Sequence, residues 1–294
     1  MRPPDETLPQ AGPEPARANT VAEVLRPLVP ETVLRGPLLF VAAHPDDAPL
    51  GASWLLRASP GAHVVHVTDG APRDASLRAA STPPREAYAH LRQKEAFAAL
   101  SLAGLSRERL LFLGAVEQEA ALELVTLTEC LVALLKALRP SLLVVHPYEG
   151  GHPDHDAAAF ISHAAVALMA RAGRTPPVLL EMTSFHLGGR ATPVLGEFLP
   201  TPEGLAERTV SLTESERSAK RRMLACYGTQ ARELRSVPVA RERYRLAPPY
   251  DFTRPPHEGL LQYEAAGRRM TGARWRELAR RALEELKLPE TPWH

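Results

Sequence analysis

The sequence holds little of several features that would narrow its function at once. Cysteine is scarce, with two residues in 294. Cys130 and Cys226 lack Cys-x-x-Cys spacing, so a disulfide framework or thiolate metal site is disfavoured, and two reduced, buried thiols are expected. No apolar run reaches the roughly 20 residues that a membrane helix needs. Nothing near the N-terminus resembles a signal peptide, so a cytoplasmic location and no membrane partner are expected. The formal net charge of +1 gives no reason to expect nucleic acid or an anionic surface as partner. The first apolar run is not followed by Gly-x-Gly-x-x-Gly, which argues against dinucleotide binding. No internal repeat is visible, and nothing in the sequence speaks to oligomeric state.

What is present is ordinary for a soluble globular protein: 45% hydrophobic and 23% charged residues. Residues 1–20 are rich in Pro, Glu and Ala and read as a disordered tail. From there, apolar runs alternate with helical periodicity. Strands are expected at Leu38–Ala43, Ala62–Thr68, Leu110–Leu113, Leu142–Val145 and Val178–Phe185. Helices are expected at Pro49–Arg57, Arg85–Leu102, Ala121–Leu138 and Asp154–Ala172. This alternation implies an α/β fold with a mostly parallel sheet covered by helices on both faces. The capping box Thr213-Glu-Ser-Glu216 opens a helix expected to run to about Leu234. Residues 21–235 read as one catalytic domain. Residues 236–294 read as a Pro-rich, loop-rich lid or extension, with a C-terminal helix around Trp275–Leu286 packed on the same domain.

Two stretches carry chemistry. The first strand ends in His44-Pro45-Asp46-Asp47, and the strand at Leu142–Val145 is followed by Gly151-His152-Pro153-Asp154-His155. Each lies where a strand stops and a helix starts, the position at which open α/β sheets collect ligands. His44 and Asp47 are three apart at the start of a helical turn and can converge on one point, with His155 as third metal ligand. Two imidazoles and a carboxylate suit Zn2+ and also accommodate iron, cobalt or manganese. Asp46 is left as general base and His152 as a charged oxyanion partner, with Asp154 holding its imidazolium form. Taken one at a time, both motifs also read as turns and helix caps.

Together the motifs resemble the paired signatures of the LmbE-like or PIG-L family of metal-dependent N-deacetylases. Thr68-Asp69-Gly70, Arg92 and Glu95, and Lys220 with Thr229-Gln230 extend the likeness over about residues 38–230. The resemblance implies a Rossmann-like fold and zinc-dependent hydrolysis of an N-acetyl or N-acyl group, commonly on an N-acetylglucosamine-type sugar. The reaction implied is metal-hydroxide attack on a small-molecule N-acylated glycoside. By motif position His44, Asp47 and His155 are the metal ligands, Asp46 the base and His152 the oxyanion imidazole. The family usually has an acid directly after the two aspartates, where this chain has Ala48, which puts support around the metal and substrate choice in question. A non-catalytic, metal-stabilised sugar-binding module is the alternative that Ala48 allows. Arg92, Asp154, Tyr148 and Glu149 are candidates for substrate binding or support of the ligands.

Overall fold

Leu38–Ala42 forms strand β1, and all five residues are buried. A continuous apolar run of this kind is stable only with both faces of the sheet covered. The computed structural model describes residues 20–78, 83–201 and 204–290, so of the tail expected at 1–20 only Thr20 is described. β1 pairs in parallel with β2 (His63–Thr68), which pairs with β3 (Leu110–Ala115). On its other side β1 pairs in parallel with β4 (Leu142–Val145), and β4 with β5 (Val178–Met182). The short strands β6 (Phe185–His186) and β7 (Val194–Leu195) form a separate antiparallel pair. Two further strands, β8 (Glu207–Ser211) and β9 (Arg241–Leu246), run antiparallel to each other, and β9 also runs antiparallel to β5. The seven-stranded order is β3-β2-β1-β4-β5-β9-β8. The chain winds outward from β1 in one direction and resumes on its other side with β4. The switch point therefore lies between the C-terminal ends of β1 and β4, where a crevice opens.

Helices cover both faces. One apolar cluster packs α1 (Val21–Leu25), α3 (Asp47–Ala58), α4 (Arg85–Ser101) and α7 (Glu214–Leu224) on the sheet. The short α2 (Glu31–Leu34) sits beside α1. The opposite cluster packs α5 (Leu124–Leu138), α6 (Pro153–Arg171) and α9 (Gly272–Leu286), with α8 (Gln262–Ala265) just before α9. None of the described helices is long and apolar enough to cross a membrane.

Four expectations change. Residues 238–256 are not loop throughout, because Arg241–Leu246 is an inner strand. Its charges hid it: Glu242 pairs with Lys220 at 2.9 Å and Arg245 with Glu181 at 2.7 Å, both inside the protein. The helix from Thr213 stops at Leu224 rather than near Leu234. Tyr227 leaves helical geometry and its hydroxyl donates to the Pro45 carbonyl at 2.7 Å. The strand from Val178 stops at Met182. Cys130 is exposed, at the side of the stripe formed by buried Leu124, Leu127 and Leu131, and Cys226 is half-buried; both cysteines are free.

Candidate metal centre

The His44–Asp47 turn is held from three sides. The Thr68 N–H and hydroxyl both donate to the Ala43 carbonyl at 2.9 Å. Tyr227 holds Pro45 from above, and the His44 N–H donates to Asp47 Oδ2 at 2.6 Å, closing the turn on itself. Gly70, at φ +67°, lets the neighbouring chain pass closely: a Cβ there would stand 2.7 Å from Pro45 and 2.8 Å from Arg92 Nε. After β4 a similar constraint acts, since a Cβ on Gly151 would lie 1.9 Å from the Phe185 carbonyl oxygen. His152 then caps α6, its side chain accepting from the Asp154 N–H, with Pro153 in the first turn. This start points His155 back toward His44.

The two stretches meet. His44 Nδ1 lies 3.2 Å from Asp47 Oδ2 and 3.2 Å from His155 Nε2, and His155 Nε2 lies 3.3 Å from Asp47 Oδ1. Tetrahedral zinc with 2.0–2.1 Å bonds sets its ligand atoms about 3.3–3.4 Å apart, and these separations are of that size, with Asp47 meeting the two imidazoles through different oxygens. Ligand atoms also group as His44/His152/His155 and as Asp47/His146/His155. The outer contacts distinguish the imidazoles. His44 directs its far nitrogen, Nε2, to Asp154 Oδ2 at 3.2 Å, and His155 directs Nδ1 to the Ser184 hydroxyl at 3.0 Å. Metal-ligating histidines are oriented in this way. His146 Nε2 instead accepts from the Ala43 N–H at 3.2 Å, and its ring stacks on His155 at 4.2 Å. The same Nε2 lies 3.3 Å from Asp47 Oδ2, so His146 also stands among the residues that could ligate a metal. His44, Asp47 and His155, with His146 and His152 against them, form the cluster that could hold a divalent metal.

The electrostatics suit a cation. Burial disfavours charge on His44, but the carboxylates of Asp47 and Asp154 outweigh it and hold its pKa well above the usual value. Burial likewise opposes ionisation of Asp47, yet the imidazoles of His155, His146 and His44 hold it well below the usual carboxylate range. A site that draws a proton onto an imidazole attracts a metal cation for the same reason. Burial pushes His146 down to about 4. His152 is pushed well below the usual value by burial and then by His44 and His155. These surroundings favour a neutral imidazole over the charged group expected. Asp154 stands 3.8 Å from its Nδ1 and serves His44 instead.

Asp46 lies beside the triangle. Arg92 Nη2 donates to Asp46 Oδ1 at 2.6 Å, and Oδ2 has no hydrogen-bond partner among the described residues. Arg92 is 1% exposed; Nε donates to the Gly70 carbonyl at 3.2 Å and Nη1 lies 3.6 Å from Glu95. It faces Asp46 rather than open space. Glu95 accepts from the Thr229 N–H at 2.8 Å, and Gln230 donates to the Tyr88 hydroxyl at 3.0 Å, so these residues brace α4. Tyr148 and Glu149 are not brought to the centre. The Tyr148 hydroxyl donates to the Arg254 carbonyl at 2.8 Å and its ring stacks on Trp275, while Glu149 faces Arg245. Ala48 is buried in the apolar cluster, and the ligands' far nitrogens are covered by Asp154 and Ser184.

Three residues near the centre escaped the sequence reading. Ser184 follows β5 with no motif around it. Gln118 donates its N–H to Asp154 at 2.6 Å, and its side-chain amide lies 2.6 Å from His152 Nε2. The neighbouring Glu117 carboxyl has its pKa raised, chiefly by burial, against the pull of His44 and Arg92. The loop after β3 has no apolar pattern to place it; only topology carries it to the site.

Fold and site together define a Rossmann-like α/β protein with a buried His/Asp cluster suited to a divalent metal. Residues 39–166 match the family described as PIG-L: GlcNAc-PI de-N-acetylase, so the chain resembles the LmbE-like and PIG-L deacetylases beyond its two motifs. No curated protein sequence matches. Among solved structures, a deacetylase of the teicoplanin biosynthesis pathway, in complex with bog, is 18% identical. The match covers 71% of this chain and 96% of that one, with a TM-score of 0.52. The deacetylase of the antimicrobial reagent A40926 pseudoaglycone is 20% identical, covering 71% and 96%, with a TM-score of 0.50. At these identities the likeness establishes the fold.

Proposed function

We propose that the protein is a metal-dependent hydrolase that removes an N-acetyl or other N-acyl group from an amino sugar or related small-molecule amide. The carrying observation is the convergence of His44, Asp47 and His155, with ligand atoms 3.2–3.3 Å apart, from the ends of two adjacent strands. The match of residues 39–166 to a de-N-acetylase family supports an N-acetylated sugar as substrate.

In this reading His44, Asp47 and His155 hold the metal; zinc suits them, and Fe2+, Co2+ or Mn2+ can take the same donors. When bound, the metal supplies a Lewis acid that acidifies water and polarises a carbonyl. Asp46 takes the proton from the attacking water through Oδ2, while Arg92 holds Oδ1 and fixes the carboxylate's direction. His152 accepts at Nδ1 from the Asp154 N–H, which leaves its proton on Nε2. With substrate bound, that N–H exchanges the Gln118 side-chain amide, 2.6 Å away, for the oxygen that becomes negative when the carbonyl is attacked. Asp46 then returns its proton to the departing nitrogen, giving a carboxylic acid and a free amine.

The alternative of a non-catalytic sugar-binding module rested on Ala48, and no structural observation favours it. Asp46→Asn tests the assignment. Expected is retained zinc with a loss of at least about 100-fold in amine release from N-acetylglucosamine derivatives. Full turnover in that variant would remove Asp46 as base.

A further inference from the structure

A cleft of about 260 Å³ opens beside the centre, bounded by Leu77, Leu122, Met270 and the Glu117-Gln118 turn. Gln118 is shared between the two spaces: it lines the cleft and also touches both His152 and Asp154. It does so at φ +74°, a backbone conformation that L residues other than Asn and Asp seldom adopt. Four of the eleven lining residues, Pro72, Leu77, Leu122 and Met270, are apolar, and they gather where apolar surface is rare. Leu77, 39% exposed, and Leu122, 55% exposed, are two of only six well-exposed large hydrophobic side chains among the described residues. Exposed apolar surface gathered in a concave site beside reacting groups marks a ligand contact. The rim carries three arginines, each beside an acidic partner. Arg73 meets Glu119 at 2.9 Å, Arg269 meets Asp74 at 3.2 Å and Arg274 meets Glu277 at 2.7 Å.

We propose that this cleft is the subsite for an apolar arm of the substrate, an alkyl or aryl group lying on the far side of Gln118 from the reacting amide. The inference rests on the deacylase reading and narrows it to amphiphilic amides. The arm is either the aglycone of the sugar or an N-acyl chain longer than acetyl, and the two sources share the same recognition chemistry.

The test uses the full chain loaded with zinc and two substrate series. One compares methyl and octyl glycosides of N-acetylglucosamine, and the other compares N-acetyl with N-octanoyl glucosamine. Each buried methylene is expected to raise kcat/KM by up to about four-fold, so the long-to-short ratio should exceed about ten in one series. The series that responds identifies the source of the arm. Leu122→Ser and Leu77→Ser, both changes at exposed positions, should each lower that ratio several-fold with the melting temperature unchanged. Methyl and octyl glucoside, which lack an amide, report binding alone by calorimetry, and octyl should bind more tightly by a margin that Leu122→Ser reduces. Ratios near one in both series, or ratios unchanged in both variants, would overturn the subsite while leaving the deacylase reading standing. Amine release from none of the four amides, with the octyl preference in binding intact, would remove the deacylase reading and keep the subsite. Absence of both would overturn the inference.

Discussion

Asp154→Asn separates a ligand-orienting carboxylate from a mere helix residue. The Asp154 side chain is fully buried and gathers three donors: His44 Nε2 at 3.2 Å, the Gln118 N–H at 2.6 Å and the Ala120 N–H at 3.2 Å. Asparagine has the same size but one acceptor oxygen and an NH2 group. If that oxygen keeps His44 and Gln118, the NH2 faces the Ala120 N–H and leaves a buried donor unpaired, at about 1–3 kcal/mol. The opposite rotamer would set NH2 against two donors and is worse. Removing the charge behind His44 also makes its imidazole a poorer ligand. Outer partners of this kind are worth about 10–100-fold in metal affinity, or about 1.4–2.8 kcal/mol. Competition for zinc against a chromophoric chelator reads the affinity, and thermal melting of the metal-free variant reads the fold. A folded variant with a zinc Kd within about two-fold of the parent would refute the claim that Asp154 tunes His44.

Stability should depend on pH through the buried pair of carboxylates facing Arg245. Burial, against the pull of Arg245, raises Glu149 to about 8 and Glu181 to about 7. The folded protein then keeps protons that the unfolded chain loses, so stability falls as pH rises from about 5 to about 8. Glu149→Gln should flatten that fall in urea titrations; an equally steep fall in the variant would contradict it. Trp275→Ala should cost about 3–5 kcal/mol, because the ring is fully buried and its Nε1–H donates to the Pro153 carbonyl at 3.0 Å, in the first turn of α6. A melting temperature lowered by less than about 3 °C would show that α9 does not anchor this turn.

Much of the fold was legible because the central strands are apolar runs punctuated by Gly and Pro. Leu142–Val145 reads as a strand for the same reason that it folds as one: nothing polar in it requires a partner. β9 was not legible, since Arg241–Leu246 carries four charged residues and only the buried partners Lys220, Glu181 and Glu149 make it an inner strand. Around the centre, His44, Asp46, Asp47, His152 and His155 stand in two dense motifs. Spacing could bring them to strand ends, but not decide which nitrogen each imidazole turns inward. Asp154 illustrates the limit: adjacency in sequence suggested His152 as its partner, whereas α6 geometry delivers it to His44 across 110 positions. Tyr148 and Glu149 look like pocket residues by position, yet side-chain direction after β4 sends them toward the C-terminal segment and β9. Ser184 and Gln118 have no local signature, because their roles arise from where topology sets two loops.

In the proposed reaction a metal held by His44, Asp47 and His155 is required to cleave the N-acyl amide. The direct measurement is amine release from an N-acetylglucosaminide by the zinc-loaded protein, by the same protein after chelation and dialysis, and after zinc is restored. Expected are activity with one zinc per chain, loss on chelation and recovery on re-addition. Undiminished amine release from protein shown to be metal-free would contradict it.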